Sequence, residues 1–178
     1  MIEFQCKYCG AFHKGVPSIG WPFPADYLEI EEPERAKRVL LSPDACVIDG
    51  TGFYIQANLD IPVRGEDEPL RWQVWMRVEK PFFEVFHRSY FDRLRAHHPP
   101  LFGWVAVEIW PYKRTMNLEG VAFLRNNGER PQVVLEPVNH TLVTEQQEGI
   151  STVRAIELYG MMTHPELFPL AHRYGRSK

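Results

Sequence analysis

The stretch that decides the fold runs from residue 53 to residue 78. It reads FYIQANLDIPV (53–63), RGEDEP (64–69) and LRWQVWMRV (70–78). In the first run Phe53, Ile55, Ala57, Leu59, Ile61 and Val63 are apolar, while Tyr54, Gln56, Asn58 and Asp60 between them are mostly polar. A period of two is the mark of a strand with one buried face. The third run alternates again, Trp72, Val74, Met76 and Val78 against Arg71, Gln73, Arg77 and the following Glu79. Two alternating runs across a short polar loop predict an antiparallel hairpin. Trp75 falls on the polar side of its strand. An aromatic there points to a partner surface or to an element packed over it.

Working outward, Pro81 opens a predicted helix that runs to about His97, with Phe83, Phe86, Tyr90 and Leu94 on one face. His98-Pro99-Pro100 ends it, and His97-His98 reads as an exposed helix end. Residues 101–109 (LFGWVAVEI) are nearly all apolar, as expected of a central strand. Leu118–Leu124 and Gln132–Glu136 predict two more strands around the turn Asn126-Asn127-Gly128. A last helix is expected over about Thr144–Tyr159. Gly149 within it costs about 1 kcal/mol relative to Ala and marks where it would break.

Upstream of the hairpin, a short helix is expected over Pro33–Leu41, with proline suited to its first position and Ser42-Pro43 as its stop. Residues 17–25 (PSIGWPFPA) carry three prolines and exclude a helix. Residues 1–16 read as a strand, a tight turn at Cys6–Gly10, and a return. The expected architecture is α+β, a single domain over 1–178. Its sheet is antiparallel, strongly twisted and of about five strands, with helices 80–97 and 144–159 packed on it. A zinc-knuckle-like segment occupies 1–16.

Composition agrees with one folded domain. The chain has 178 residues, 44% hydrophobic and 24% charged, a normal globular balance that excludes a disordered chain. Fifteen prolines are spread along it and mark no linker. No apolar run reaches the roughly 18 residues of a membrane span. The start, MIEFQCKYCG, lacks the basic and apolar regions of a signal peptide. A cytoplasmic location and no membrane partner are therefore expected. The formal charge of −3 argues against nucleic acid as the main partner.

The three cysteines are Cys6, Cys9 and Cys46, a poor disulfide framework without a secretion signal. Cys6 and Cys9 have the spacing that turns two thiolates toward one metal ion, with turn N–H groups donating to the sulfurs. Gly10 follows, where positive φ is often needed. His13 is the nearest further donor and Cys46 the remaining thiol. The expected centre is a closed zinc site of Cys6, Cys9, His13 and Cys46, structural in role. The alternatives are a redox pair or inert thiols. A redox pair usually opens a helix, which Gly15 and Pro17 disfavour here. Cys46 alone would read as a small buried hydrophobe.

The chain resembles the bacterial family called domain of unknown function 2199. The resemblance is carried by CKYCGAFHKG (6–15), DYLEI (26–30), ACVIDGTGFYIQANLDIPV (45–63), WQVW (72–75), LFGWVAVEI (101–109), NLEG (117–120) and RPQVVLEPVNHTLVTEQQEGIS (130–151). Leu135-Glu136-Pro137, His140, Glu145-Gln146 and Gly149-Ile150 are its most specific positions. Thr141 stands where the family has proline, and Gln56 where it usually has arginine. The resemblance implies a bacterial cytoplasmic source and a ligand set of paired Cys, His and a later Cys. It implies no activity.

Outside the cysteines, His140 with Glu136 and Glu145 is the candidate catalytic group, with Glu108 as a further candidate, since a His beside a carboxylate can act as general base. The competing reading makes His140 a helix cap. No HExxH, GxSxG or phosphate-cradling glycine loop is present. The function expected is therefore a zinc-stabilised, non-enzymatic protein that binds another protein, of accessory or immunity type. The alternatives are an enzyme built on His140 or a catalytic zinc with an open position.

Overall fold

The hairpin forms as read, but it is the spine of a barrel rather than of an open sheet. The computed structural model describes residues 3–15 and 18–164. The two long strands are β6 (Gly52–Ile61) and β7 (Leu70–Val78), paired from Phe53↔Val78 to Ile61↔Leu70. Three later strands, β8 (Leu101–Val105), β9 (Glu119–Phe123) and β10 (Gln132–Leu135), follow as an antiparallel meander. β8 joins β7 only at Met76–Val78, while β10 joins β6 only at Asn58 and Leu59. These contacts lie on opposite halves of the long ladder. To make both, the sheet coils on itself and closes as β6-β7-β8-β9-β10. A meander of five strands brings the last one back parallel to the first, and the β10–β6 pair is parallel.

Two glycines permit the tight curl. Gly103 and Gly120 face each other across β8 and β9. A Cβ on Gly103 would strike the Arg77 carbonyl, and one on Gly120 would lie 3.0 Å from the Val134 carbonyl oxygen. Alanine has no room at Gly103, and at Gly120 it would fit only if the neighbouring strand gave by a few tenths of an ångström.

The free edges of the long hairpin carry the upstream strands. β5 (Ala45–Ile48) pairs with β6 at Gly52–Ile55, and β4 (Val39–Leu41) extends it. β3 (Ser18–Gly20) runs parallel to β7 at Arg71–Gln73. Among the described residues the main sheet thus has eight strands, five of them in the barrel. This corrects the expectation of a twisted, wholly antiparallel sheet of about five strands. β1 (Glu3–Gln5) and β2 (Phe12–Lys14) form a separate two-stranded sheet.

Helix boundaries shift for identifiable reasons. The first helix, α1, covers Glu32–Arg38 and hands over to β4, because Val39–Leu41 pair with β5. The helix expected to reach His97 is α2 (Lys80–Arg88). The chain then turns so that Arg95 is fully buried. Its guanidinium donates to the Phe86 carbonyl, Ser89 Oγ and the Glu129 carbonyl. The last predicted helix is two, α3 (Thr141–Glu148) and α4 (Thr152–Thr163). Gly149 breaks it at φ 72°, and Ile150 bonds like a strand residue to Pro62 and Arg64.

The middle of the hairpin is buried on both faces. Trp72 and Trp75 are both fully buried. The segment after β3 covers the side that the alternation marks as polar. Its Trp21 carbonyl accepts from Trp75 Nε1 at 2.9 Å and from Gln56 Nε2 at 3.0 Å. Trp75 is therefore not a surface aromatic.

Candidate metal centre

The N-terminal hairpin is built around its turn. Phe4 pairs with His13 across β1 and β2, and residues 6–11 make the connection. Cys6 N–H donates to the Ala11 carbonyl, and Gly10 N–H to the Cys6 carbonyl, each at 2.8 Å. Gly10 sits at φ 71°, a conformation that costs glycine least. The Tyr8 N–H points at Cys6 Sγ, 3.4 Å away. Such donors spread the charge of a thiolate. Burial pushes the Cys6 thiol up, but the backbone N–H groups of Cys9 and Tyr8 and the side chains of Cys9 and His164 outweigh it. Its pKa falls below the ordinary thiol value.

The fourth donor comes from the other end of the described chain. α4 ends at Thr163, and His164 follows as its C-cap. His164 Nε2 lies 3.4 Å from Cys6 Sγ, and His13 Nε2 lies 3.4 Å from Cys9 Sγ. The ligand atoms of Cys6, Cys9, His13 and His164 are all within 4.8 Å of one another, an arrangement that could hold a metal ion. The two S···N contacts can be compared with the edges of a tetrahedral zinc site. Bonds of about 2.3 Å to sulfur and about 2.05 Å to nitrogen put adjacent S and N atoms about 3.6 Å apart. The two S···N edges are slightly shorter than that.

A second layer holds the donors. The Tyr159 hydroxyl lies 3.1 Å from His13 Nδ1. A metal on Nε2 leaves the proton on Nδ1, where this hydroxyl oxygen accepts it and fixes the ring. Phe4 meets Tyr159 edge-on at 5.2 Å. Tyr8 lies against Gly160, where a Cβ would come within 2.5 Å of the ring. The C-terminal end of α4 and its cap thus supply a candidate ligand, a partner for His13 and a seat for the turn.

Three of the four sequence-based ligands meet here, and Cys46 does not. It is fully buried in β5, paired with Leu41 and Tyr54. Burial, with Asp26 nearby, pushes its thiol up to about 11. Its strand belongs to the main sheet, whereas the knuckle belongs to the separate hairpin, and this removes it from the centre. His164 takes its place. It stands 158 positions from Cys6, and no local spacing marks it. Tyr159 and Gly160 were equally invisible as site residues.

The proposed catalytic group is not assembled. His140 is the N-cap of α3. Its Nδ1 accepts from Leu142 N–H at 3.1 Å, so Nε2 carries the proton and donates to the Lys113 carbonyl at 2.8 Å. Both ring nitrogens are used in holding structure. Glu145 instead accepts from the Tyr112 hydroxyl and from Arg154 Nε. Glu136 is exposed at the end of β10. Glu108 accepts from the Thr115 N–H and hydroxyl within its own loop.

The neighbouring Gln146 explains part of the same stretch. Its Oε1 accepts from Leu135 N–H at 2.9 Å and its Nε2 donates to the Val133 carbonyl at 2.8 Å. β10 pairs with β6 over two residues only, and this amide serves as a strand where the ladder stops. Glu145, Gln146 and Ile150 are thus each engaged in contacts that hold the fold together.

Neither the curated proteins nor the solved structures contain a match to this chain. No helix among the described residues is long and apolar enough to cross a membrane. A family model described as "Uncharacterized protein conserved in bacteria (DUF2199)" matches residues 5–150, a span that includes the knuckle, the barrel and α3 and stops short of His164. The chain therefore belongs to that bacterial family, DUF2199.

Proposed function

We propose that this is a zinc-stabilised, non-enzymatic protein whose role is to bind another protein. The observation that carries the zinc reading is the convergence of two thiols and two imidazoles from the two ends of the described chain. Four protein ligands close a tetrahedral site, and a closed site contributes to folding rather than to catalysis. The alternative of a catalytic zinc needs an open position, which a fourth protein ligand fills. The ion's task is to fasten the separate β1–β2 sheet to α4, since a two-stranded hairpin is marginally stable by itself.

The barrel exterior supports the second half of the proposal. Phe102, Val121 and Val134 stand in one row across β8, β9 and β10, with Phe123 beside them. Phe123 is 45% exposed and Val134 47%. An apolar row on an outer sheet face suits a protein surface.

Metal analysis of untagged protein tests the zinc, with melting followed with and without chelator. One zinc per chain and a clear fall in melting temperature on chelation are expected. Full stability without any bound metal refutes the proposal. For the partner surface, Val134→Glu should abolish any specific association while leaving zinc content and melting unchanged.

A further inference from the structure

We infer that the Cys6–Cys9 pair is a peroxide-sensitive modification site whose oxidation expels the zinc and releases the hairpin from α4. The inference deepens the zinc reading and rests on it. Three features of the centre lead to it.

The first is asymmetric access. Cys9 is exposed, while Cys6 is 2% exposed. One cysteine of the pair is at the surface and the other is buried. The second is proximity. The two sulfurs fall within the 4.8 Å cluster, and a two-residue spacing allows a disulfide after a small turn adjustment. The third is that the site leans on those two sulfurs. Among the described residues the hairpin has no strand partner in the main sheet, and without the two sulfurs the ion would keep only His13 and His164.

The chemistry balances with hydrogen peroxide as oxidant. The Cys9 thiolate attacks one peroxide oxygen, the O–O bond breaks, and a sulfenic acid and hydroxide form. The Cys6 thiolate then attacks the Cys9 sulfur and displaces the second hydroxide, leaving the disulfide. Two electrons pass from sulfur to peroxide, and two protons from solvent turn the hydroxides into water. Neutral disulfide sulfurs are poor zinc ligands, so the ion leaves. Dithiol reductant with zinc reverses the sequence. Cys46, fully buried in β5, takes no part.

The test begins with zinc-loaded protein and measures stoichiometry before any oxidant is added. Peroxide is then titrated in the presence of a chromogenic zinc chelator, while intact mass and peptide mapping follow the cysteines. The expected result is one zinc released for two thiols lost, a Cys6–Cys9 disulfide, and recovery with reductant and zinc. Cleavage by a protease within residues 3–15 should accelerate together with zinc release. Retained zinc at peroxide levels that oxidise a small-molecule zinc thiolate overturns the inference and leaves the zinc reading standing. Oxidation of Cys9 to sulfinic acid without a disulfide also overturns it. Protein that binds no zinc at the outset refutes the zinc reading instead. A Cys46→Ala variant should behave as the parent does, and loss of the response in that variant counts against the pair.

Discussion

Replacing Gly160 with alanine tests whether the knuckle is seated on α4. Two effects oppose each other. Alanine favours the helix by about 1 kcal/mol over glycine. Its Cβ, however, would lie 2.5 and 2.8 Å from two carbons of the Tyr8 ring. Carbon contacts settle at about 3.5–4.0 Å, so the ring must retreat by about an ångström. Tyr8 is poorly placed to do so. Its own N–H is bonded to Cys6 Sγ, and it lies between the two cysteines. Overpacking of this kind costs about 1–3 kcal/mol. Gly160→Ala should therefore leave the zinc-loaded protein between unchanged and about 2 kcal/mol less stable in urea. In a Tyr8→Ala background the clash is gone, and the same substitution should stabilise by about 1 kcal/mol. The four proteins form a double-mutant cycle with a coupling of about 1–3 kcal/mol. An equal effect of Gly160→Ala in both backgrounds would falsify the seating of Tyr8 on the helix.

Further predictions concern the barrel, the ligand anchor and the buried thiol. Gln146→Leu strands the Leu135 N–H and Val133 carbonyl and should cost about 2–5 kcal/mol in denaturant unfolding. A loss under 0.5 kcal/mol would show that the amide does not replace a strand. Tyr159→Phe frees His13 Nδ1 and should weaken zinc binding about 10–100-fold in chelator competition while the circular dichroism spectrum stays unchanged. An unaltered affinity would remove Tyr159 from the centre. The Cys46 thiol is raised from 9.0 to about 11, so the unfolded chain gives up its proton first as pH rises. Its contribution is complete below pH 9 and is lost between about 9 and 11. A Cys46→Val variant should show a shallower alkaline decline than the parent, and identical slopes would refute the assignment.

The local parts of this protein were legible because their physics is local. Alternation over 53–78 gave the β6–β7 hairpin, and Pro81 marked the start of α2. The Cys6–Cys9 turn with Gly10 and His13 carried three of the candidate ligands within eight residues, because a knuckle is a property of its own short segment. The alternative reading of His140 as a cap was also available, since capping depends on the residues just after it. Even the break at Gly149 was marked by glycine's cost in a helix.

Three other features were decided only when distant segments met. The polar stripe of the hairpin does not face water, because the chain after β3 folds over it and offers the Trp21 carbonyl to Gln56 and Trp75. Alternation reports how polar a face is, not what will cover it. Barrel closure depends on where β8 and β10 join the long ladder, and each strand's own pattern is the same in a sheet or a barrel. The fourth ligand followed the same logic. Cys46 has the better side chain for zinc, yet its strand pairing carries it into the core. His164 is delivered by the end of a helix that packs beside the knuckle. Sequence alone determined which donors this chain possesses. Only the tertiary structure decided which of them meet, because ligand distance is set by the packing of whole elements and not by spacing along the chain.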